Sequence, residues 1–126
     1  MLKVTTCGAL SAALLIAGAC VAEAAGAIAK GKCGRYGYSY GYESDAGAEQ
    51  RALDECSSNG DDTCKIVVNL DGNCGALAVD SQDSCTAQGW GYAQTRDEAE
   101  RIARSYCRQY GGQDCRVVRW VCDGRG

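Results

Sequence analysis

A chain of 126 residues with no histidine has few routes to catalysis. Without an imidazole, a serine or cysteine nucleophile needs a lysine or a carboxylate as its base. Beyond the N-terminus the lysines are Lys30, Lys32 and Lys65, and no serine motif stands beside them. Paired acids occur at Asp54-Glu55 and Asp61-Asp62. Two carboxyls about 5 to 10 Å apart can hydrolyse a glycosidic bond, but acids adjacent in sequence more often end a helix or sit in a solvated turn. Asp61-Asp62-Thr63 also lacks the alternating ligands and later glutamate of a calcium loop. These residue types point to a protein that is not an enzyme and that holds no metal and no cofactor.

Sulfur chemistry is more prominent. Of ten cysteines, eight follow residue 24: Cys33, Cys56, Cys64, Cys74, Cys85, Cys107, Cys115 and Cys122. An even set in an exported chain reads as a disulfide framework, and the lack of any C-x-x-C pair argues against zinc.

The other concentration of chemistry is aromatic. Tyr36, Tyr38, Tyr40 and Tyr42 alternate with Gly and Ser, a period of two that places four rings on one face of a strand and small residues on the other. Trp90 and Tyr92 follow the same pattern later in the chain. Together these residues are candidates for a platform that stacks on sugar rings or anchors a protein. In a chain without Phe the same rings are needed to cover the sheet and the cystines, and this packing role is the favoured reading because buried aromatics dominate small cores. The small residues opposite the rings would let a helix or another backbone approach closely. Arg96, Arg101, Arg104 and Arg108 offer a face to an anionic partner, yet Asp97 with Arg101 and Glu100 with Arg104 have the i,i+4 spacing of an ordinary solvated helix.

The elements that must position these groups come as a duplication. Gly26-Ala27-Ile28-Ala29 matches Gly75-Ala76-Leu77-Ala78, and a loop cysteine follows, Cys33 or Cys85. Next come the aromatic and glycine stretch and then Ser44 or Thr95, each opening a helical pattern that closes at Cys56 or Cys107. Cys64 and Cys115 introduce β-branched runs, and Cys74 and Cys122 finish the halves. Each half, about residues 25–74 and 75–126, reads strand, strand, helix, strand. The predicted class is α+β: a pseudo-twofold pair of such units, helices packed on an antiparallel or mixed sheet, stapled by disulfides. Thr95 with Glu98 has capping-box spacing, and Ala99, Ile102, Ala103, Tyr106 and Cys107 share one helical face. The first helix, capped by Ser44, has the thinner stripe Ala48, Ala52, Leu53 and Cys56. Asn59-Gly60 and Gly111-Gly112 mark the turns that follow.

Helix-end and strand-start cysteines at equal spacing in both halves predict Cys56–Cys64 and Cys107–Cys115. The remaining four have counterparts across the halves, which predicts Cys74–Cys122 and Cys33–Cys85. At about 2 to 4 kcal/mol each, such bridges would be a large share of the stability of a domain this small.

The first 24 residues have the layout of a secretory signal: Lys3, an apolar run from Gly8 to Ala22, and the small-x-small pattern Ala22-Glu23-Ala24. The expectation is cleavage after Ala24, a single domain over residues 25–126, and a periplasmic or secreted location. The apolar run is too short and too rich in Ala and Gly for a membrane span. The alternative is that Ala17-Gly18-Ala19-Cys20 is a lipoprotein signal and Cys20 is acylated. Setting aside Lys3 and Glu23 leaves 12 basic and 15 acidic residues with no basic tract, which argues against nucleic acid as a partner.

The Gly-Ala-Ile-Ala opening, the Gly-Tyr-Ser-Tyr-Gly-Tyr stretch, the helix ending Leu53-Asp54-Glu55-Cys56, the Cys64-to-Val68 strand, Asn73-Cys74-Gly75-Ala76-Leu77-Ala78 and the closing Trp120-Val121-Cys122 together resemble the domain-of-unknown-function family numbered 4189 (DUF4189). The resemblance spans essentially the whole chain after the signal. It implies a small exported bacterial protein; secretion-linked roles among relatives, including protection of the producer against toxic effectors, imply protein binding. Ala25 stands where the family often has Trp, and Cys33 with Cys85 looks like an additional bridge. The expected function is a non-catalytic protein-binding module of inhibitor or immunity type, using the aromatic face and the loops Asn69 to Asn73 and Asp80 to Ser84. The alternative is a binder of carbohydrate or peptidoglycan fragments that uses the same rings.

Overall fold

The computed structural model describes residues 25–123; the expected signal, its cleavage site and Cys20 lie outside the described residues. β1 (Ala25–Lys30) leads through a short 3-10 turn at Lys32–Gly34 to β2 (Tyr36–Tyr42), α1 (Asp45–Cys56) and β3 (Lys65–Asn69). β4 (Cys74–Asp80), β5 (Gln88–Ala93), α2 (Arg96–Gln109) and β6 (Cys115–Cys122) complete the chain. The class is α+β, and the order strand, strand, helix, strand occurs twice. The strands form two three-stranded sheets instead of one, ordered β2-β1-β3 and β5-β4-β6, with every pairing antiparallel. Among the described residues, no helix is long and apolar enough to cross a membrane.

Alternation along the central strands produces the layers. Ala25, Ala27 and Ala29 of β1 face α1, where Ala48, Ala52 and Cys56 complete a core of small side chains. Ala76 and Ala78 of β4 lie in the same way beneath Ala99, Ala103 and Cys107 of α2. Ile28 and Leu77 point the other way and meet Val68, Leu70 and Val121 in a third core between the two sheets. The result is four layers: helix, sheet, sheet, helix. Glycines on the edge strands set the helix spacing, because a Cβ at Gly37 would collide with the α1 backbone and one at Gly89 or Gly91 with that of α2.

Both helices start on the expected caps. Ser44 Oγ accepts the Gly47 N–H at 3.1 Å, and Thr95 Oγ1 accepts that of Glu98 at 3.3 Å. The Glu98 carboxylate does not close a capping box but meets Arg101, the residue that i,i+4 spacing assigned to Asp97. Arg96 and Arg104 share Glu100.

Disulfides join Cys33 to Cys85, Cys56 to Cys64, Cys74 to Cys122 and Cys107 to Cys115, the pairs that the duplication selects. Cys56–Cys64 and Cys107–Cys115 fasten each helix end to the next strand, both with a Cα–Cα distance of 6.1 Å. Cys74 opens β4, whose register places it opposite Cys122 of β6. That bridge therefore lies within the second sheet, not across the halves as a division after residue 74 implies. Among the bridges of the described residues, Cys33–Cys85 alone connects the two units. Four disulfides suggest an oxidising, extracytoplasmic environment.

Candidate functional site

The six aromatic candidates do not form one platform. β1 pairs Ala27 with Ser39 but Ala25 with Tyr42, so β2 carries one extra residue, and Gly41 takes it up at a φ of 74°. A bulge turns the side chains beyond it to the opposite face. Tyr36 and Tyr38 accordingly pack in the layer between the sheets, whereas Tyr42 packs in the α1 core. Tyr40 is 57% exposed and runs parallel to Tyr38, with ring centroids 6.4 Å apart.

Trp90 and Tyr92 belong to a different edge. β2 packs over β6, while β5 packs over β3 on the other side of the sandwich. Trp90 meets Tyr106 of α2 edge-on at 5.0 Å, and Tyr106 lies 4.9 Å from Tyr110. Among the described residues no ring contact joins this group to Tyr36, Tyr38 or Tyr40. The Tyr92 hydroxyl accepts a hydrogen bond from Asn73 Nδ2 at 2.8 Å. Helical periodicity places Tyr106 on the apolar stripe of α2, and Tyr110, which is not part of that stripe, follows it at i+4.

Arg119 carried no signal in the sequence. β4 pairs Leu77 with Arg119 but Ala78 with Val117, so Val118 is a bulge residue and Arg119 points between the sheets. The corresponding position in the first unit, opposite Ile28, holds Val68. The Arg119 guanidinium lies 4.3 Å from the Tyr38 ring and 5.6 Å from that of Tyr36. Its Nη2 donates to the Tyr36 hydroxyl at 3.4 Å, the largest of the effects that raise its pKa and hold the charge. Its Nε is buried with no partner among the described residues. Trp120, 40% exposed, lies 3.9 Å beneath the Arg96 guanidinium, and Glu100 holds Arg96 at 2.8 Å. A shallow cleft of about 450 Å³ runs between these groups and the exposed Val118.

The loops expected to bind are tied into the fold. Asn69 Nδ2 donates to Glu49 at 2.9 Å, and the Leu70 N–H bonds to the Gly26 carbonyl. Asp80 is buried and accepts the N–H groups of Gln82 and Gln113. Ser81 Oγ donates to Asp114 at 2.6 Å; that bond first, and Arg116 next, hold the Asp114 carboxyl below its usual range. The paired acids are structural as well. Asp61 accepts from the Thr63 hydroxyl, the Thr63 N–H and the Lys32 N–H, and these bonds, the hydroxyl foremost, keep its pKa low. Asp54 and Glu55 meet Gln50 and Arg51 along their own helix. Among the described residues, no group of three or more His, Cys, Asp or Glu is placed to hold a metal.

A family model described as a domain of unknown function, DUF4189, matches residues 25–122. Among solved structures the chain is similar to the NMR structure of Rv1813c from Mycobacterium tuberculosis. The identity is 34%, covering 79% of this chain and 74% of that one, with a TM-score of 0.58. No curated protein matches.

Proposed function

The chain belongs to the DUF4189 family, and from that premise we propose that it is an exported, non-catalytic protein-binding module of the inhibitor or immunity type. The observation that carries the reading is a pair of arginine–aromatic groups on the two faces of the edge strand β6: Arg119 against Tyr38, which Tyr40 continues, on the inner face, and Trp120 beneath Arg96 on the outer, with Arg119, Trp120 and Arg96 lining one cleft. Arg, Tyr and Trp dominate the hot spots of protein interfaces. Both arginines already lie against rings, so their rotamers are held before a partner arrives and the ordering cost of binding falls. A ring with a guanidinium or a second ring on one face offers a carbohydrate or peptidoglycan fragment less open surface, which favours protein as the ligand. Residues 1–24 act as a cleaved signal in this reading, and the bridges fit a periplasmic or secreted destination. The repeated element and strand order supports a duplication with a pseudo-twofold relation.

Arg119→Val tests the assignment, since it installs the residue that the first unit uses at the same register position. Stability within about 1 kcal/mol of wild type, together with lost capture of a defined protein from envelope and culture fractions, is the expected result. Trp120→Ala and Tyr40→Ala should each weaken that capture by at least about tenfold. Equal capture by wild type and all three variants would overturn the site. Saturable tryptophan quenching by glycans, with no protein captured, would transfer the rings to the carbohydrate reading.

A further inference from the structure

Three of the four bridges are at least partly buried: Cys56 and Cys107 are 2% and 0% exposed, and Cys74 is 0% exposed. Cys33 and Cys85 are both exposed. Cys33 also sits in the left-handed region at a φ of 53° and a ψ of 43°, a strained setting for a residue with a Cβ. Cys85 lines a cleft of about 350 Å³ whose other walls include Lys30, Trp90 and Tyr110. The charges around the two sulfurs differ. Lys32 and Arg35 flank Cys33 in sequence, whereas Lys30 lines the Cys85 cleft, where it favours an incoming thiolate. The acid facing that segment, Asp61, is engaged by the Lys32 N–H and lies 3.8 Å from Arg35. Beside Cys85, Asp83 accepts its N–H at 3.0 Å.

We propose that Cys33–Cys85 is a thiol–disulfide exchange site for an exogenous dithiol, with Cys85 the sulfur attacked from the cleft and Cys33 the leaving thiolate. Cations near a sulfur lower its thiol pKa and make it the better leaving group. The incoming thiolate forms a bond to Cys85 Sγ; the Cys85–Cys33 bond breaks, and its electron pair leaves on Cys33, which takes a proton from water. The second sulfur of the dithiol then displaces Cys85, so the dithiol is oxidised to its disulfide and the protein gains two thiols. Apart from the chain between β3 and β4, this bridge is the covalent tie between the units, and the other three would stay closed inside them. The inference goes beyond the protein-binding reading and stands without it.

The test is a timed reduction of the oxidised protein with dithiothreitol, quenched with N-ethylmaleimide and read by peptide mapping. Cys33 and Cys85 should be labelled at least about tenfold faster than any other cysteine. Neutralising the cations beside Cys33, with Lys32→Gln and Arg35→Gln together, should slow their labelling severalfold. The double variant Cys33→Ser with Cys85→Ser should keep the near-ultraviolet circular dichroism of the parent. Labelling of all the bridged cysteines together, or of another pair first, would overturn the proposal, and the wild-type order decides this even if a variant fails to fold.

Discussion

Glu55 Oε1 accepts the backbone N–H of Tyr38 at 3.3 Å, so a side chain from α1 closes a hydrogen-bonding position on the outer edge of β2. The residue at the same place in the second unit, just before the helix-end cysteine, is Tyr106. Its ring packs instead against Trp90, which stands opposite Leu77 as Tyr38 stands opposite Ile28. An unpaired strand edge invites association with another strand, and the two units cover theirs with different chemistry. Glu55→Ala should cost about 0.5 to 1.5 kcal/mol in a urea titration and increase self-association in size-exclusion chromatography. Glu55→Gln, which keeps an acceptor, should retain most of the stability. An alanine variant unchanged in both measurements would show that the contact contributes nothing.

Close approach of helix to sheet makes a second prediction. A Cβ at Gly91 would meet the Ala99 carbonyl and the Ala103 N–H, and neither backbone atom can rotate away. Gly91→Ala should therefore displace α2 and cost about 1 to 3 kcal/mol, seen as a lower melting temperature. No change in melting would mean that the helix has room to rise.

The bridges should differ in worth according to the loop that each closes. Cys56–Cys64 spans 8 residues and Cys74–Cys122 spans 48. Chain entropy gives about 2.5 kcal/mol for the first and about 4 kcal/mol for the second. Paired alanine variants, Cys56→Ala with Cys64→Ala and Cys74→Ala with Cys122→Ala, compared in guanidinium, should show that order. The reverse order would mean that packing around the sulfurs outweighs loop length.

Acid should loosen the fold through Asp61 and Asp114. Hydrogen bonds from Thr63 and Ser81 respectively, the largest causes, hold these carboxyls below the usual range. The unfolded chain then binds protons at a higher pH than the folded one. The stabilisation is complete above the ordinary Asp pKa of about 3.9 and is lost as pH falls towards the lower folded values. Melting temperature should fall with pH below about 4, and the double variant Asp61→Asn with Asp114→Asn should flatten that slope. A parallel slope in the variant would assign the acid sensitivity to other groups.

Asp123 has the opposite sign, because burial raises its pKa against the lowering effect of the Gly41 N–H. Its ionisation opposes folding as pH rises above the ordinary Asp value. Asp123→Asn should raise the melting temperature at neutral pH and make less difference at acid pH. A loss of stability at neutral pH would show that the ionised carboxylate is favourable where it sits.

What the residues alone determined about this protein was local or repeated. The caps at Ser44 and Thr95, the alanine stripes of the helices, the small face of β2 and the equal cysteine spacings depend on periods of two and 3.6 and on a pattern that appears twice. What only the tertiary structure decided was on which side of a sheet a side chain ends up. One extra residue at Gly41 sends Tyr42 to α1, and another at Val118 turns Arg119 towards Tyr36 and Tyr38, across 83 residues of chain to Tyr36. A bulge is a property of two strands in register, and the alternation of either strand alone does not contain it. Division into two sheets, and the separation of Trp90 and Tyr92 from the other rings, likewise follow from which apolar faces cover each other, a choice made by the assembled layers.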